Sequence, residues 1–313
     1  MSRVFGVKSQ GGWLYSLWKF SRPHTIIGTS LSVLGLYVVA VGLARGGNSL
    51  LTTPYSLLPL LGTWISCLCG NVYIVGLNQL EDIGIDQINK PHLPLASGEF
   101  SLRTGKIIVG VTGLSALILA LFQSPYLFWM VTISLAIGTA YSLPPIRLKR
   151  YPFWAALCIF SVRGAIVNLG LYLHYSWIFQ RPGIPAAVWI LTLFVLVFTF
   201  AIAIFKDIPD MEGDLQYNIS TFTIQLGKEA VFKLARWVIT VCYIGMIFVG
   251  LFHLAEANWL ILILSHIILL VWLWRRSKKV DIQDKVSVAS FYQFIWKLFF
   301  IEYLIFPAAC LLG

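Results

Sequence analysis

The chain has 313 residues, of which 58% are hydrophobic and 12% charged, and its mean hydropathy is +0.81. A water-soluble domain carries about 25% charged residues, so this composition excludes a soluble globular fold. Lys and Arg number 23 against 13 Asp and Glu, a net charge of +10; in an apolar chain that excess orients helices in a bilayer and is no nucleic-acid signal.

The N-terminal segment holds Arg3, Lys8, Trp13, Trp18, Lys19 and Arg22 without an apolar run ahead of a cleavage site. It reads as neither a signal peptide nor a transit peptide. A membrane helix needs about 20 mostly apolar residues. Such stretches follow at 24–44, 57–77, 104–122, 125–141, 153–175, 185–205, 232–252, 257–274 and 291–312. They predict an all-α, polytopic bundle of nine transmembrane helices around a central cavity, one domain over residues 1–313. With the N-terminus inside, only Arg45 and Arg181 fall on the opposite side, and Arg163 and Lys297 lie within helices. The other 19 of the 23 basic residues share one side, which supports the alternation of the nine spans. Five cysteines, Cys67, Cys69, Cys158, Cys242 and Cys310, sit inside apolar stretches and read as core or lipid-facing residues, not as disulfide or zinc ligands.

The acidic residues are concentrated more narrowly. Glu81, Asp82, Asp86 and Glu99 follow the second span, and Asp207, Asp210, Glu212, Asp214 and Glu229 follow the sixth. Asn78, Asp82 and Asp86 are spaced four apart, so on a helix continuing from the second span they line one face. Asp207, Asp210 and Asp214 repeat the pattern, and an offset of 128 maps 78, 82 and 86 onto 206, 210 and 214. Both motifs leave even-numbered spans, which predicts two pseudo-repeat halves, about 20–150 and 151–313, facing each other across the cavity. Facing carboxylates repel unless a cation neutralises them. Hard oxygen donors of this kind suit Mg²⁺ shared with substrate phosphates. The candidate ligands are Asn78, Asp82, Asp86, Asp207, Asp210 and Asp214, with Asp82 and Asp210 central to catalysis. Arg22, Arg103, Lys149, Arg150, Lys206 and Lys228 are the cations on the same side that can hold the diphosphate oxygens. Pro209 disfavours helical geometry at Ile208 and predicts a kink there that separates Asp207 from Asp210.

The two Asp-rich motifs, the nine spans and the stretch Tyr141-Ser142-Leu143-Pro144-Pro145-Ile146-Arg147-Leu148-Lys149-Arg150 resemble the UbiA superfamily of intramembrane aromatic prenyltransferases. Arg22-Pro23-His24-Thr25, Asn78-Gln79-Leu80 and the stretch from Asn89-Lys90-Pro91 to Ser97-Gly98-Glu99 resemble its homogentisate branch in the tocopherol pathway. Many members open the first motif with Asn-Asp. Gln79 departs from that pattern and is shared with the homogentisate branch. The resemblance implies Mg²⁺-dependent transfer of a phytyl group from phytyl diphosphate to homogentisate, with loss of CO₂ and diphosphate, giving 2-methyl-6-phytylbenzoquinol. Geranylgeranyl or solanesyl donors remain alternatives. A secondary transporter also uses repeats, but its sites lie at the midplane, whereas these acidic clusters lie at the surface. The implied location is a cyanobacterial inner or thylakoid membrane, or a plastid membrane, with the Asp motifs on the cytoplasmic or stromal side.

Other residues keep two readings each. Arg163, about 16 Å into the fifth span at 1.5 Å per residue, costs at least about 2.5 kcal/mol at mid-bilayer and must face the interior. It either serves an acceptor carboxylate or the diphosphate, or pairs with Glu302. His24 can take the ring proton or end a helix in the headgroups. Tyr141 and Ser142 can stabilise a carbocation or bond diphosphate, or anchor the interface. His253 and His266 read as structural. Asn89 to Gly98, broken by Pro91 and Pro94, and Thr223 to Glu229 predict short caps over the cavity mouth.

Overall fold

The computed structural model describes residues 12–45 and 57–313; the predicted topology residues Arg3 and Lys8 lie outside them. Every described element is helical. An amphipathic α1 (Trp13–Phe20) precedes α2 (Pro23–Arg45) and α3 (Leu57–Glu81), and a short α4 (Ile83–Asn89) follows at the end of α3. Then come α5 (Leu102–Gln123), α6 (Pro125–Ser142), a 3₁₀ turn at Leu148–Arg150 and α7 (Pro152–Phe160). A π-helical segment, Ser161–Ile166, joins α7 to α8 (Val167–Ile178) as one continuous span. The second half runs α9 (Ala186–Phe205), α10 (Asp207–Gln216), α11 (Phe222–Leu226), α12 (Lys228–Leu251), α13 (Trp259–Ser277) and α14 (Lys285–Leu311).

Eight spans among the described residues are long and apolar enough to cross a bilayer. The predicted fourth span forms the 18-residue α6, about 27 Å long. Thr132, Ser134, Thr139 and Tyr141 make it more polar than its neighbours, yet it packs beside α3, α5 and α8. Ser124 caps it through the Leu127 N–H, and Pro125 occupies its first turn, where a missing N–H costs nothing. Asn258 and Asp284 cap α13 and α14 in the same way. These caps explain why the short connections between spans turn so sharply.

Between helices in lipid, close packing replaces the hydrophobic effect as the source of association. A Cβ on Gly113 of α5 would fall 2.5 Å from the Tyr73 ring of α3, and one on Gly164 would fall 2.5 Å from the Leu196 backbone of α9. Apolar on all sides, α9 is the most buried span, as expected of a central helix. Leu114, Leu121, Phe122, Trp129, Leu193, Phe248 and Leu304 are exposed on the outer surface and face lipid. A smaller cluster of Phe20, Leu77, Leu95, Phe100 and Val109 seats α1 and the loop before α5, and Lys19 and Ser16 pin that loop through Glu99.

The helix directions place the N-termini of α2, α7 and α14 and the C-termini of α3, α6 and α9 around one cavity mouth. At the far end, Glu256 accepts from the Ala187 N–H at 2.8 Å, and the Asn258 N–H donates to the Ala309 carbonyl at 2.9 Å. Of the predicted acidic residues, Asp82, Asp86, Asp207, Asp210 and Asp214 line the cavity, whereas Glu81, Glu99, Glu212 and Glu229 do not.

Candidate active site

The first motif does not continue α3 as predicted. The helix breaks at Asp82 (φ −116°, ψ 19°), and α4 starts anew at Ile83. The break still leaves Asn78, Asp82 and Asp86 lining one cavity of about 320 Å³. Asn78 Nδ2 donates to Asp82 Oδ2 at 2.8 Å. Across the mouth, the kink expected at Ile208 falls at Lys206, and Ile208 is helical. Pro209 instead occupies the first turn of α10, where its absent N–H has no helical partner to lose.

Asn89, at the end of α4, clasps the two motifs together. Its Nδ2 donates to the Asp210 carbonyl at 2.8 Å, and its Oδ1 accepts from the Gly213 N–H at 2.9 Å. Gly213 has no side chain because the Asn89 amide fills that space.

Each Asp except Asp214 faces its own cation. Lys149 and Arg147 both reach Asp82 Oδ1, the latter at 3.1 Å. Arg22 donates to Asn78 Oδ1 at 3.0 Å and stands 3.8 Å from Asp86 Oδ2. Lys90 bonds Asp210 and Lys206 bonds Asp207, each at 2.5 Å. Arg22 (φ 53°) and Arg147 (φ 40°) adopt the left-handed region, sparsely populated by residues with a Cβ and held only where surroundings impose it. Both use that backbone to turn a guanidinium onto the first motif.

Charge and burial compete at the mouth. Burial raises the carboxyl of Asp86 above its usual range against the pull of Arg22 and Lys90. Burial likewise raises Asp207 against Lys206. Asp214 is pushed up to about 7 by burial, with Asp210 and Asp207 adding to it and Lys206 opposing. Lys149 is lowered by burial despite Asp82. Burial also works against the charge on Lys206, but Asp207, Tyr141 and Asp214 hold it well above its ordinary value. Such opposed shifts in one cleft mark a site that handles charge.

Among the described residues, no three His, Cys, Asp or Glu side chains converge at metal-holding distance. The carboxylates are spread and, apart from Asp214, each paired with a cation, which offsets the repulsion between them. Mg²⁺ needs only one or two carboxylates when substrate phosphates complete its shell. Asp86 belongs to the cavity lining, and its Oδ2 is buried without a hydrogen-bond partner, with only the Arg22 guanidinium 3.8 Å away, so it keeps lone pairs that a cation could use. The donor set therefore fits a phosphate-shared divalent ion.

Below the mouth the walls become apolar: Ile74, Met130, Leu135, Ile159, Val162 and Ile202 line a tube between the helices. His24, Tyr141, Tyr292 and Trp296 stand between the two zones, with the His24 ring tilted against Trp296 at 4.9 Å.

Several expected residues lie elsewhere. Arg103, Arg150 and Lys228 do not line the cavity; Arg103 and Arg150 are exposed. Arg103 stands in the first turn of α5 and Arg150 ends the 3₁₀ turn, both exposed away from the cavity, which spacing alone does not reveal. Ser142 is buried outside the cavity lining. Arg163 does line it, but its expected partner Glu302 is bonded to His266 at 3.0 Å, both fully buried. His266 thus has the carboxylate neighbour that the sequence did not place near it. Lys90, Arg147 and Asn89 were missed as individual site residues, although each lies inside a stretch that carried the family resemblance. All five cysteines are free. The expected caps contribute unequally: Asn89 and Lys90 line the cavity, whereas in the second half residues 219–221, just before α11, do so.

Residues 28–298 match the UbiA prenyltransferase family. The chain is 52% identical over 297 residues to homogentisate phytyltransferase from Synechocystis sp. (strain ATCC 27184 / PCC 6803 / Kazusa), covering 95% of this chain and 96% of that protein. It is 42% identical to the chloroplastic homogentisate phytyltransferase 1 of Arabidopsis thaliana, covering 94% of this chain and 75% of that one. A UbiA homolog from Archaeoglobus fulgidus, solved bound to GPP and Mg²⁺, superposes with a TM-score of 0.64 at 18% identity, over 95% of this chain and 100% of that one.

Proposed function

The chain belongs to the UbiA prenyltransferase family, and from that premise we propose that it transfers the phytyl group of phytyl diphosphate to homogentisate. The products are 2-methyl-6-phytylbenzoquinol, CO₂ and diphosphate. One observation carries the reading: a single cavity joins an Asp- and Lys/Arg-lined mouth to an apolar tube, with aromatic side chains at the boundary. A diphosphate with a hydrocarbon tail is the substrate class that needs both zones at once. The identity of 52% over nearly all of both chains with a relative named for that reaction supports this donor and acceptor.

Asn78, Asp82 and Asp86 on one side, and Asp210 and Asp214 with Asp207 on the other, would hold Mg²⁺. When bound, the ion supplies Lewis-acid neutralisation of charge on the departing diphosphate. Mg²⁺ in a homologue of the same fold supports its use. The cations now on aspartates, Lys149, Arg147, Lys90, Lys206 and Arg22, can turn to phosphate oxygens at little cost, since one oxyanion replaces another. The apolar tube takes the tail and excludes water, which protects an allylic cation from capture. Tyr141, Tyr292 and Trp296 offer π faces to that cation.

Bonds and protons then balance. The ring carbon bonds the prenyl carbon as its C–O bond to diphosphate breaks, and the ring loses one proton. Loss of CO₂ from the acetate arm leaves a carbon that takes one proton to become methyl. We assign the passing of that proton to His24, the imidazole that lines the cavity among the described residues.

The two halves, about 20–150 and 151–313, act as pseudo-equivalent units meeting through Asn89. Relatives in a cyanobacterium and a chloroplast and the basic mouth support a thylakoid or inner membrane, with the mouth on the cytoplasmic or stromal side.

The test is purified protein with Mg²⁺, homogentisate and phytyl diphosphate. Diphosphate release and the phytylated methylquinol by mass spectrometry are expected, with phytyl favoured over geranylgeranyl and solanesyl diphosphates. No Mg²⁺-dependent release with any of the three would overturn the assignment.

A further inference from the structure

Arg163 is the cation that the charge pairing at the mouth does not explain. Arg22, Lys90, Arg147, Lys149 and Lys206 each face an Asp. Among the described residues no Asp or Glu lies within ion-pair distance of Arg163. Its guanidinium instead lies 5.1 Å from the Trp296 ring and 5.7 Å from the Phe299 ring. Aromatic faces attract a desolvated cation, but they do not replace a counter-ion in a low-dielectric interior.

Considerable structure is committed to holding this side chain. It sits in the π-helical segment Ser161–Ile166, a distortion that occurs mostly at functional sites. Asn168 stabilises the distortion by donating to the Gly164 and Arg163 carbonyls at 2.6 and 3.0 Å, and Tyr303 OH bonds Asn168 Oδ1 at 2.7 Å. On the facing helix, a Cβ at Gly28 would come within 3.0 Å of Arg163 Nη1. The bare glycine leaves room for the guanidinium to stand in the cavity wall.

Its depth separates it from the diphosphate. Arg163 lies 11 residues beyond Pro152, about 16 Å along the helix, while Lys149 and Arg147 precede that helix. Gly28 is one helical turn below His24 on α2, about 6 Å. A group held by Arg163 can therefore carry a ring at the level of His24 and Trp296, beneath the mouth.

Resting on the phytyl-transfer reading above, we propose that Arg163 binds the carboxylate of the aromatic acceptor and so makes the enzyme selective for an aromatic acid over the same ring without its charge. The planar fork matches a carboxylate in two hydrogen bonds. The carboxylate supplies the missing counter-ion, and the ring it carries stacks in the aromatic collar next to the allylic carbon.

The experiment compares homogentisate with its methyl ester, as competitors and as substrates, on wild-type protein with Mg²⁺ and phytyl diphosphate. Arg163→Gln should raise the KM for homogentisate by about 30-fold or more, move the KM for phytyl diphosphate by less than about threefold, and abolish preference for the acid over the ester. Arg163→Lys should restore part of that preference. Gly28→Ala, which keeps the arginine and crowds it, should also erode the preference, and serves if Arg163→Gln fails to fold. Wild-type preference for the acid in Arg163→Gln or, where that variant does not fold, in Gly28→Ala overturns the proposal, as does a rise confined to the KM for phytyl diphosphate. Absence of homogentisate turnover by the wild type overturns the function itself, and this proposal with it, and is a distinct result.

Discussion

The clasp made by Asn89 gives a prediction whose sign depends on genetic background. In the wild type, Gly213→Ala places a Cβ 2.6 Å from Asn89 Nδ2 and 2.7 Å from its Cγ. Asn89 must retreat by about 0.8 Å to regain ordinary contact, which breaks its bonds to the Asp210 carbonyl and the Gly213 N–H. Two such bonds are worth about 1–3 kcal/mol net. If the loss falls on alignment of the two motifs, kcat/KM drops by roughly 5- to 150-fold. Asn89→Ala removes the same bonds and should cost the same. In the Asn89→Ala background the clash is gone, and Gly213→Ala then replaces glycine by alanine inside α10, a gain of up to about 1 kcal/mol in helix propensity. The substitution that harms the wild type should thus be neutral or stabilising in the single variant. The assay is a double-mutant cycle read by diphosphate release and by Tm in detergent. Equal losses from Gly213→Ala in both backgrounds would show that the effect does not pass through Asn89.

Four further outcomes follow from the site. Asp82→Ala and Asp210→Ala should each lower Mg²⁺-dependent diphosphate release by about 100- to 1,000-fold; release at the wild-type rate would sink the two-motif mechanism. Among the cations, Lys149→Gln should cost about 30-fold or more in kcat/KM, whereas Arg103→Gln, Arg150→Gln and Lys228→Gln should stay within about threefold, and the reverse ranking would contradict the cavity lining. Burial raises Asp214 to about 7 and also raises Asp86, so these carboxyls bind protons that Mg²⁺ must displace. Affinity for Mg²⁺ should therefore weaken as pH falls through about 7, with proton uptake and metal release coupled in calorimetry; a pH-independent affinity between 6 and 8 would argue against these ligands. Glu302→Ala strands His266 in the C-terminal core and should cost about 3–5 kcal/mol of stability, seen as a large fall in Tm.

Much of this architecture was legible from the chain alone. Lipid demands apolar runs of fixed length, and backbone polar groups can be satisfied there only by helices or closed barrels, so composition and run length fixed an all-helical bundle. The one ambiguous span, α6, is the run richest in hydroxyl and Tyr side chains. The asymmetry of Lys and Arg assigned helix ends to sides without any packing information. Carboxylates are costly in an apolar chain, so their gathering into two matched motifs marks a candidate site, and in the fold Asp82, Asp86, Asp207, Asp210 and Asp214 line one cavity.

Tertiary structure decided which charges meet. Sequence distance says nothing of how helix tilt and a break at Asp82 rotate side chains, so Arg103 and Arg150 matched the candidate site in sign and side, yet are exposed outside the cavity. Lys90 and Arg147 reach the aspartates through a turn and a left-handed residue that no periodicity encodes. Glu302 seemed available to Arg163 at similar depth, but α13 lies against α14 and supplies His266 instead. Spacing along the chain determines a residue's helix and depth; the angle at which helices cross determines its partner. For that reason the acidic minority reads as the candidate site from the chain alone, while the arginine without a counter-ion is visible only in the folded bundle.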